Sequence, residues 1–264
     1  MNESLSGYEI ESDDYRVYCE QIEPLLSNES FTLVFLHDSW GCVGMWGDFP
    51  LTICRLLHLS GFAYDRRGYG KSSAFAISQR DEFYLHHEAY QLIKILDTAD
   101  IQNVVLYGHS DGATIALIAA SLFPSRVKGL ILEGPHSFIE DSGKAAVLET
   151  RERARETNLL MSLEKYHGSK TSELFRLWHE TWLSDYFAQW SIVDLLKNIQ
   201  CPVLAFQGEN DEFGSVAQLE ILRKEIKTAV TIHEIPNAAH TPRKEAAKLT
   251  LDMIKDWYTT TYKS

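Results

Sequence analysis

The chain has 264 residues, of which 45% are hydrophobic and 23% are charged, so its apolar side chains suffice for a large folded core. Its 25 basic and 37 acidic side chains give a formal net charge of −12, which argues against nucleic acid or an anionic membrane as a partner, because both are polyanions. The four cysteines (Cys19, Cys42, Cys54 and Cys201) lie far apart without a C-x-x-C pair, so we expect free thiols and no metal site.

The sequence shows no pattern typical of a secretory signal or of a membrane-spanning helix. The first residues, MNESLSGYEIESDDY, are polar and acidic, whereas a secretory signal has a basic start followed by an apolar stretch. The longest mainly apolar stretch, at 113–123, is too short to cross a bilayer. We therefore expect a cytoplasmic protein.

Short β-rich runs alternate with longer helical periods, which is typical of a mainly parallel sheet covered by helices. Before residue 135, the pattern predicts strands at 8–11, 15–22, 31–36, 62–64, 104–107 and 127–132, and helices at 48–59, 82–97 and 111–122. The first two strands form an antiparallel hairpin in this prediction. Six of the predicted strands therefore lie in the first half of the chain.

The alternation stops between residues 135 and 200, where helical periodicity and aromatic side chains dominate. It resumes with strands at 203–206 and 230–235 and helices at 215–226 and 242–258. We predict an α/β core of about eight strands, formed by residues 1–134 and 201–264. Residues 135–200 form a helical insertion after the sixth strand.

The strongest local motif is G-x-S-x-G at 108–112, directly between a predicted strand and a predicted helix. A serine at such a sharp turn adopts a strained backbone, and the flanking glycines let neighbouring chain approach closely. Its hydroxyl stands clear of the sheet at a helix N-terminus, which favours developing negative charge. We predict that Ser110 is a nucleophile, the alternative being a purely structural turn.

A serine nucleophile needs a base and an acid that orients it, and both follow later strands of this chain. Asp211 follows the strand at 203–206, with Glu209 and Glu212 as competitors, and His240 follows the strand at 230–235. Because the carboxyl ends of parallel strands share one edge of the sheet, these loops should converge on Ser110. The alternative roles are a turn residue for Asp211 and a helix cap for His240.

The loop after the strand at 31–36, with the sequence LHDSWG, is the candidate oxyanion loop. In a serine hydrolase this loop and the residue after the nucleophile each supply a backbone N–H to the oxyanion. We assign these donors to Ser39, with Asp38 as the alternative register, and to Asp111. His37 is expected to brace the loop by hydrogen bonding.

The segments LHDSWG, YDRRGYGKS, YGHSDG, QGENDE and NAAH occur in one order along nearly the whole chain. In this order they resemble the α/β-hydrolase superfamily, and the chain is similar to small bacterial esterases, lactonases and carbon–carbon bond hydrolases. The resemblance implies a triad of Ser110, His240 and Asp211, a mostly helical cap at 135–200, and a mainly structural role for YDRRGYGKS. The serine at position 110 separates the chain from relatives with an aspartate nucleophile.

We expect hydrolysis of a small or medium carboxylic ester, lactone or thioester, without a cofactor or metal. Carbon–carbon bond cleavage, amide cleavage and ligand reception without turnover are the alternatives, and the acidic charge disfavours an acyl group on a carrier protein. The candidate pocket residues, each with core packing as the alternative role, are Trp40, His109, Phe138, Trp178, Trp182 and Trp190.

Overall fold

The computed structural model describes residues 4–23 and 31–263. Their eight strands form one sheet in the order β1-β2-β4-β3-β5-β6-β7-β8. The bounds are β1 (Ser4–Ser12), β2 (Tyr15–Glu23), β3 (Thr32–Leu36), β4 (Ser60–Tyr64), β5 (Val104–His109), β6 (Val127–Glu133), β7 (Val203–Gly208) and β8 (Val230–Ile235). The hairpin of β1 and β2 joins β4 antiparallel, and all other pairs are parallel. The predicted mostly parallel sheet is confirmed.

Helices cover both faces of this sheet. They are α1 (Phe49–Leu57), α2 (Tyr84–Thr98), α3 (Asp111–Leu122), α4 (Asp141–Arg153), α5 (Leu159–His167), α6 (Thr171–Trp182), α7 (Val193–Leu196), α8 (Ala217–Glu225), α9 (Pro242–Glu245) and α10 (Ala247–Tyr262). One core cluster contains the buried sides of α2, α3 and α8, and the other contains those of α1 and α10. Across the described ranges, no helix is long and apolar enough to cross a membrane.

The single helix predicted at 242–258 is wrong. The structure has two helices there, α9 and α10, separated at Ala246, whose φ of −132° and ψ of 45° are not helical. The turn of α9 has contacts of its own, because Arg243 binds Glu133 at the end of β6 through both its backbone N–H and its guanidinium. Such tertiary contacts are not visible in helical periodicity.

Four helices, α4 to α7, lie in the described segment between β6 and β7. Lys170 attaches this segment to the loop after β4, since its ammonium group donates to the carbonyls of Gly70 and Ser72 at 2.7 and 2.6 Å. His167 accepts the N–H of Gly70 at 2.9 Å and hydrogen-bonds the carbonyl of Trp40 at 2.8 Å. The segment is therefore fixed to two loops at the carboxyl edge of the sheet.

Helix α3 packs closely on the sheet, and its residues from Asp111 to Ser121 are buried. Gly112 marks the closest approach, because a Cβ atom there would lie 2.0 Å from the carbonyl oxygen of Leu36. The contact would be with the Leu36 backbone, which cannot move aside as the end of a flexible side chain could. The small residue therefore sets the distance between α3 and the end of β3.

Gly112→Ala should lower the free energy of unfolding by about 1–3 kcal/mol, because the added methyl group overpacks the contact with Leu36. Urea unfolding followed by circular dichroism measures the change. Gly44→Ala is the matched control, since a Cβ atom there meets its nearest neighbour, a ring carbon of Tyr166, at an ordinary 3.6 Å. Equal unfolding midpoints for the two variants would contradict the close approach.

Candidate active site

Ser110 lies at a strained turn between β5 and α3. Its φ of 55° and ψ of −120° are unusual for a residue with a side chain, and they must be held by surrounding contacts. The Ser110 N–H donates to the carbonyl of Glu133 at 2.9 Å. Gly108 permits the turn, since a Cβ atom there would lie 2.3 Å from the carbonyl oxygen of Gly112. The geometry is that expected of a nucleophile elbow.

Asp211 and His240 meet at the carboxyl ends of β7 and β8. Nδ1 of His240 donates to the Asp211 carboxylate, with both oxygens at 2.8 Å. The Asp211 side chain is 1% exposed, and its Oδ1 also accepts the N–H of Phe213 at 2.9 Å. Glu209 and Glu212, the competing acids, make no hydrogen bond to the His240 ring within the described residues.

The pair of Asp211 and His240 favours its charged form. Although burial opposes the imidazolium, the charge and hydrogen bond of Asp211 raise the pKa of His240 above its ordinary value of 6.5. Burial likewise opposes ionisation of Asp211, but His240 lowers the pKa of that carboxyl group. An imidazole oriented by a carboxylate can accept a proton, and the carboxylate stabilises the positive charge that the imidazole gains.

Ser110 and His240 both line a cavity of about 220 Å³, whereas Asp211 lies behind His240 outside it. Of the six predicted pocket residues, Trp40, His109, Trp178 and Trp182 also line this cavity. The Trp40 ring meets the Trp178 ring edge-on, with 4.5 Å between centroids. Three tryptophans therefore give the cavity a largely apolar wall formed by both the candidate oxyanion loop and α6.

Phe138 and Trp190 do not line the cavity, which corrects their predicted placement. Phe138 forms a β-bridge with Ser191, and its carbonyl accepts a hydrogen bond from Gln218 at 3.1 Å. The Trp190 ring stacks on Phe187 at 5.1 Å, within the core cluster. Phe138 therefore connects parts of the fold through its backbone, and Trp190 does so through its packed ring.

The candidate oxyanion loop is held in place through Asp38. Its carboxylate accepts the N–H of Trp40 at 2.8 Å and contacts Nδ1 of His109 at 3.2 Å. Burial opposes this charge, but the contact with His109 keeps the pKa of Asp38 well below its ordinary value. Ser39 lines the cavity, and the N–H groups of Ser39 and Asp111 make no hydrogen bond in the part of the chain described.

Arg66, in the YDRRGYGKS segment, connects this loop to the elbow. Its guanidinium donates to the carbonyl of Asp38 at 2.7 Å and lies 3.7 Å from the Asp111 carboxylate. His37 accepts the Arg66 N–H at 3.2 Å and hydrogen-bonds the Asp38 carbonyl at 2.9 Å, which are the bracing contacts expected of it. The arginine therefore explains how this segment supports the site.

The sequence analysis missed the buried pair of Glu133 and Arg243. The Arg243 guanidinium donates to the Glu133 carboxylate at 2.6 Å, and the two side chains are 5% and 0% exposed. Burial raises the pKa of Glu133, but Arg243 more than offsets this and lowers it. A charged residue that ends the apolar strand VKGLILE was the available signal.

Arg243→Met should lower the free energy of unfolding by about 3–5 kcal/mol, because it leaves the Glu133 charge buried without a partner. The double variant with Glu133→Gln should lose less than the sum of the two single changes, as measured by urea unfolding at pH 7. Arg176→Met, in an exposed pair with Glu180, is the control and should cost at most about 1 kcal/mol. If the loss in the double variant equals the sum of the losses in the two single variants, Arg243 and Glu133 are not energetically coupled.

A family model described as alpha/beta hydrolase fold matches residues 55–160. A crystal structure of a bacterial membrane phospholipase A superposes with a TM-score of 0.79 at 18% identity, covering 98% of this chain and 87% of that one. The chain has the α/β-hydrolase fold. Est816, titled an N-acyl homoserine lactone degrading enzyme, has the same fold with a TM-score of 0.73 at 20% identity, covering 95% of this chain and all of that one.

Among curated proteins, this α/β-hydrolase-fold protein resembles the human Serine hydrolase BPHL, with 26% identity over 190 residues. The match covers 67% of this chain and 62% of the relative, less than two thirds of the relative's length. The described residues contain no group of three or more His, Cys, Asp or Glu side chains suited to holding a metal ion. All four cysteines are buried and unpaired.

Proposed function

We propose that this protein is a serine hydrolase that cleaves small or medium carboxylic esters, lactones or thioesters through an acyl-enzyme on Ser110. One observation carries the proposal. Ser110 at its strained turn and His240 on the buried Asp211 carboxylate open into the same apolar-walled cavity. A hydroxyl group and an oriented imidazole beside space for a substrate support nucleophilic catalysis.

In the proposed reaction, the Ser110 hydroxyl attacks the substrate carbonyl while His240 takes its proton. Asp211 keeps the imidazole oriented and stabilises its positive charge. The protonated His240 then donates to the leaving alcohol or thiol, which leaves the acyl group on Ser110. A water molecule attacks this ester with His240 as the base, releasing the acid and restoring the serine.

The negative charge on the tetrahedral intermediate needs donors that are already in place. We propose the backbone N–H groups of Ser39 and Asp111, since neither is used within the described part of the fold. Loss of one such donor typically removes about 2.7–4 kcal/mol of transition-state stabilisation. The contacts of Asp38 and Arg66 then serve to fix the loop that carries Ser39.

The inserted segment, residues 135–200, is proposed as a cap over the cavity. Trp178 and Trp182 from this segment line the cavity together with Trp40 from the core, so an apolar acyl chain or ring can pack against their exposed surfaces there. The relatives named as a serine hydrolase and as a lactone-degrading enzyme support ester and lactone substrates. The proposed chemistry requires no cofactor.

Ser110→Ala should abolish labelling by a fluorophosphonate probe and lower kcat for p-nitrophenyl butanoate by about 10⁴-fold or more, because no other hydroxyl group replaces the nucleophile. Gel fluorescence and absorbance at the nitrophenolate band measure the two effects. Ser125→Ala, at an exposed position beyond α3, is the control and should behave as wild type. Undiminished turnover in Ser110→Ala would reject the proposal.

The pH dependence of kcat/KM should follow His240, which must be neutral to act as a base. Because Asp211 raises the pKa of His240, the rate should increase with pH through a midpoint above 6.5. Asp211→Asn removes that charge, so the midpoint should move to lower pH while kcat falls by about 10³–10⁴-fold. An unchanged midpoint in Asp211→Asn would show that another group controls ionisation of the base.

A further inference from the structure

His136 presents a buried but unpaired imidazole to the cavity. The residue is 4% exposed and lines the cavity beside Ser110 and His240. Neither ring nitrogen hydrogen-bonds to any group in the part of the chain that the structure describes. Neither nitrogen is among the fully enclosed side-chain atoms without a partner, so both are accessible from the cavity and can bind a polar group of a ligand there.

The ring of His136 is nevertheless held in position from several sides. The His136 carbonyl accepts a hydrogen bond from Thr114, one turn along the helix that begins after Ser110, at 2.7 Å. The ring meets Trp182 nearly edge-on at 5.5 Å and lies parallel to the His240 ring within 30° at 5.8 Å. Gly214 leaves it room, since a Cβ atom there would lie 3.3 Å from the ring carbon Cε1.

The chemistry of this ring defines the group it can bind. Burial, and next the neighbouring His240, lower the pKa of His136 to about 4, so the ring is neutral near pH 7. A neutral imidazole has one N–H donor and one nitrogen acceptor. A hydroxyl group can use either of them and a carbonyl oxygen can use the donor, whereas an alkyl chain leaves both unsatisfied.

The position of His136 indicates which part of the substrate it meets. The ring lies against Trp182, on the wall that the inserted segment closes. On another side the cavity is lined by Lys244, an exposed residue, so this side opens to solvent. A substrate whose leaving alcohol points to the open side would have its acyl group toward the closed wall, beside His136.

We propose that His136 hydrogen-bonds a hydroxyl or carbonyl oxygen on the acyl group, so that the site selects hydroxyacyl or oxoacyl esters over plain alkanoyl esters. This inference rests on the proposed serine hydrolase function. A site with a buried polar group rejects an analogue that cannot pair with it, whereas an apolar pocket discriminates weakly. In this proposal His136 determines the preference for oxygenated acyl groups, whereas the aromatic side chains around it provide apolar contacts.

The test compares 4-methylumbelliferyl esters of butanoate, 3-hydroxybutanoate and 3-oxobutanoate, which share one leaving group. Wild type should show kcat/KM about tenfold or more higher for at least one oxygenated ester than for butanoate. His136→Phe keeps a ring without nitrogens and should bring the ratio close to one, whereas His136→Gln should restore part of it. Each ratio is taken within one enzyme, so a changed fraction of folded protein cancels.

His233→Phe, at an exposed position on β8, is the matched control and should keep the wild-type ratio. A wild-type preference for butanoate, or an unchanged ratio in His136→Phe, would overturn the inference while fluorophosphonate labelling of Ser110 still supports a serine hydrolase. If only the ratio between 2-hydroxyethyl and propyl butanoate responds to His136→Phe, the acyl assignment is wrong. Wild type that neither labels nor turns over any ester would reject the proposed function itself.

Discussion

The strained turn at Ser110 is the constraint on which the rest of the site depends. A residue with a side chain remains at a φ of 55° only where its neighbours fix it on every side. Here β5 enters the turn, α3 leaves it, and β6 binds the Ser110 N–H through the Glu133 carbonyl. Gly108 and Gly112 give the backbone the close contacts that this arrangement requires.

Two buried charge pairs connect the surrounding loops to that turn. Arg66 lies between the candidate oxyanion loop and the Asp111 carboxylate, and Arg243 joins the turn after His240 to Glu133. Buried ion pairs contribute little net stability compared with apolar packing, but they are sensitive to geometry. Their position on both sides of the elbow therefore serves to fix the register of the loops that meet there.

The sequence predicted the elements whose local pattern and burial agree, and it failed where tertiary contacts decide. Strand, turn and helix around Ser110 are specified by neighbouring residues, so their bounds were nearly correct. Helical spacing could not tell that Trp182 faces the cavity while Trp190 stacks on Phe187, because both directions bury an aromatic ring. The unpaired ring of His136 likewise becomes evident only from contacts that span three elements.

Glu133 binds the N–H of Ser110 with its main chain and Arg243, in the turn after His240, with its side chain. The segments that carry Ser110 and His240 are therefore both attached to the end of one central strand. A displacement of that strand end carries Ser110 and the His240 loop in the same direction, so their separation changes less than the position of either.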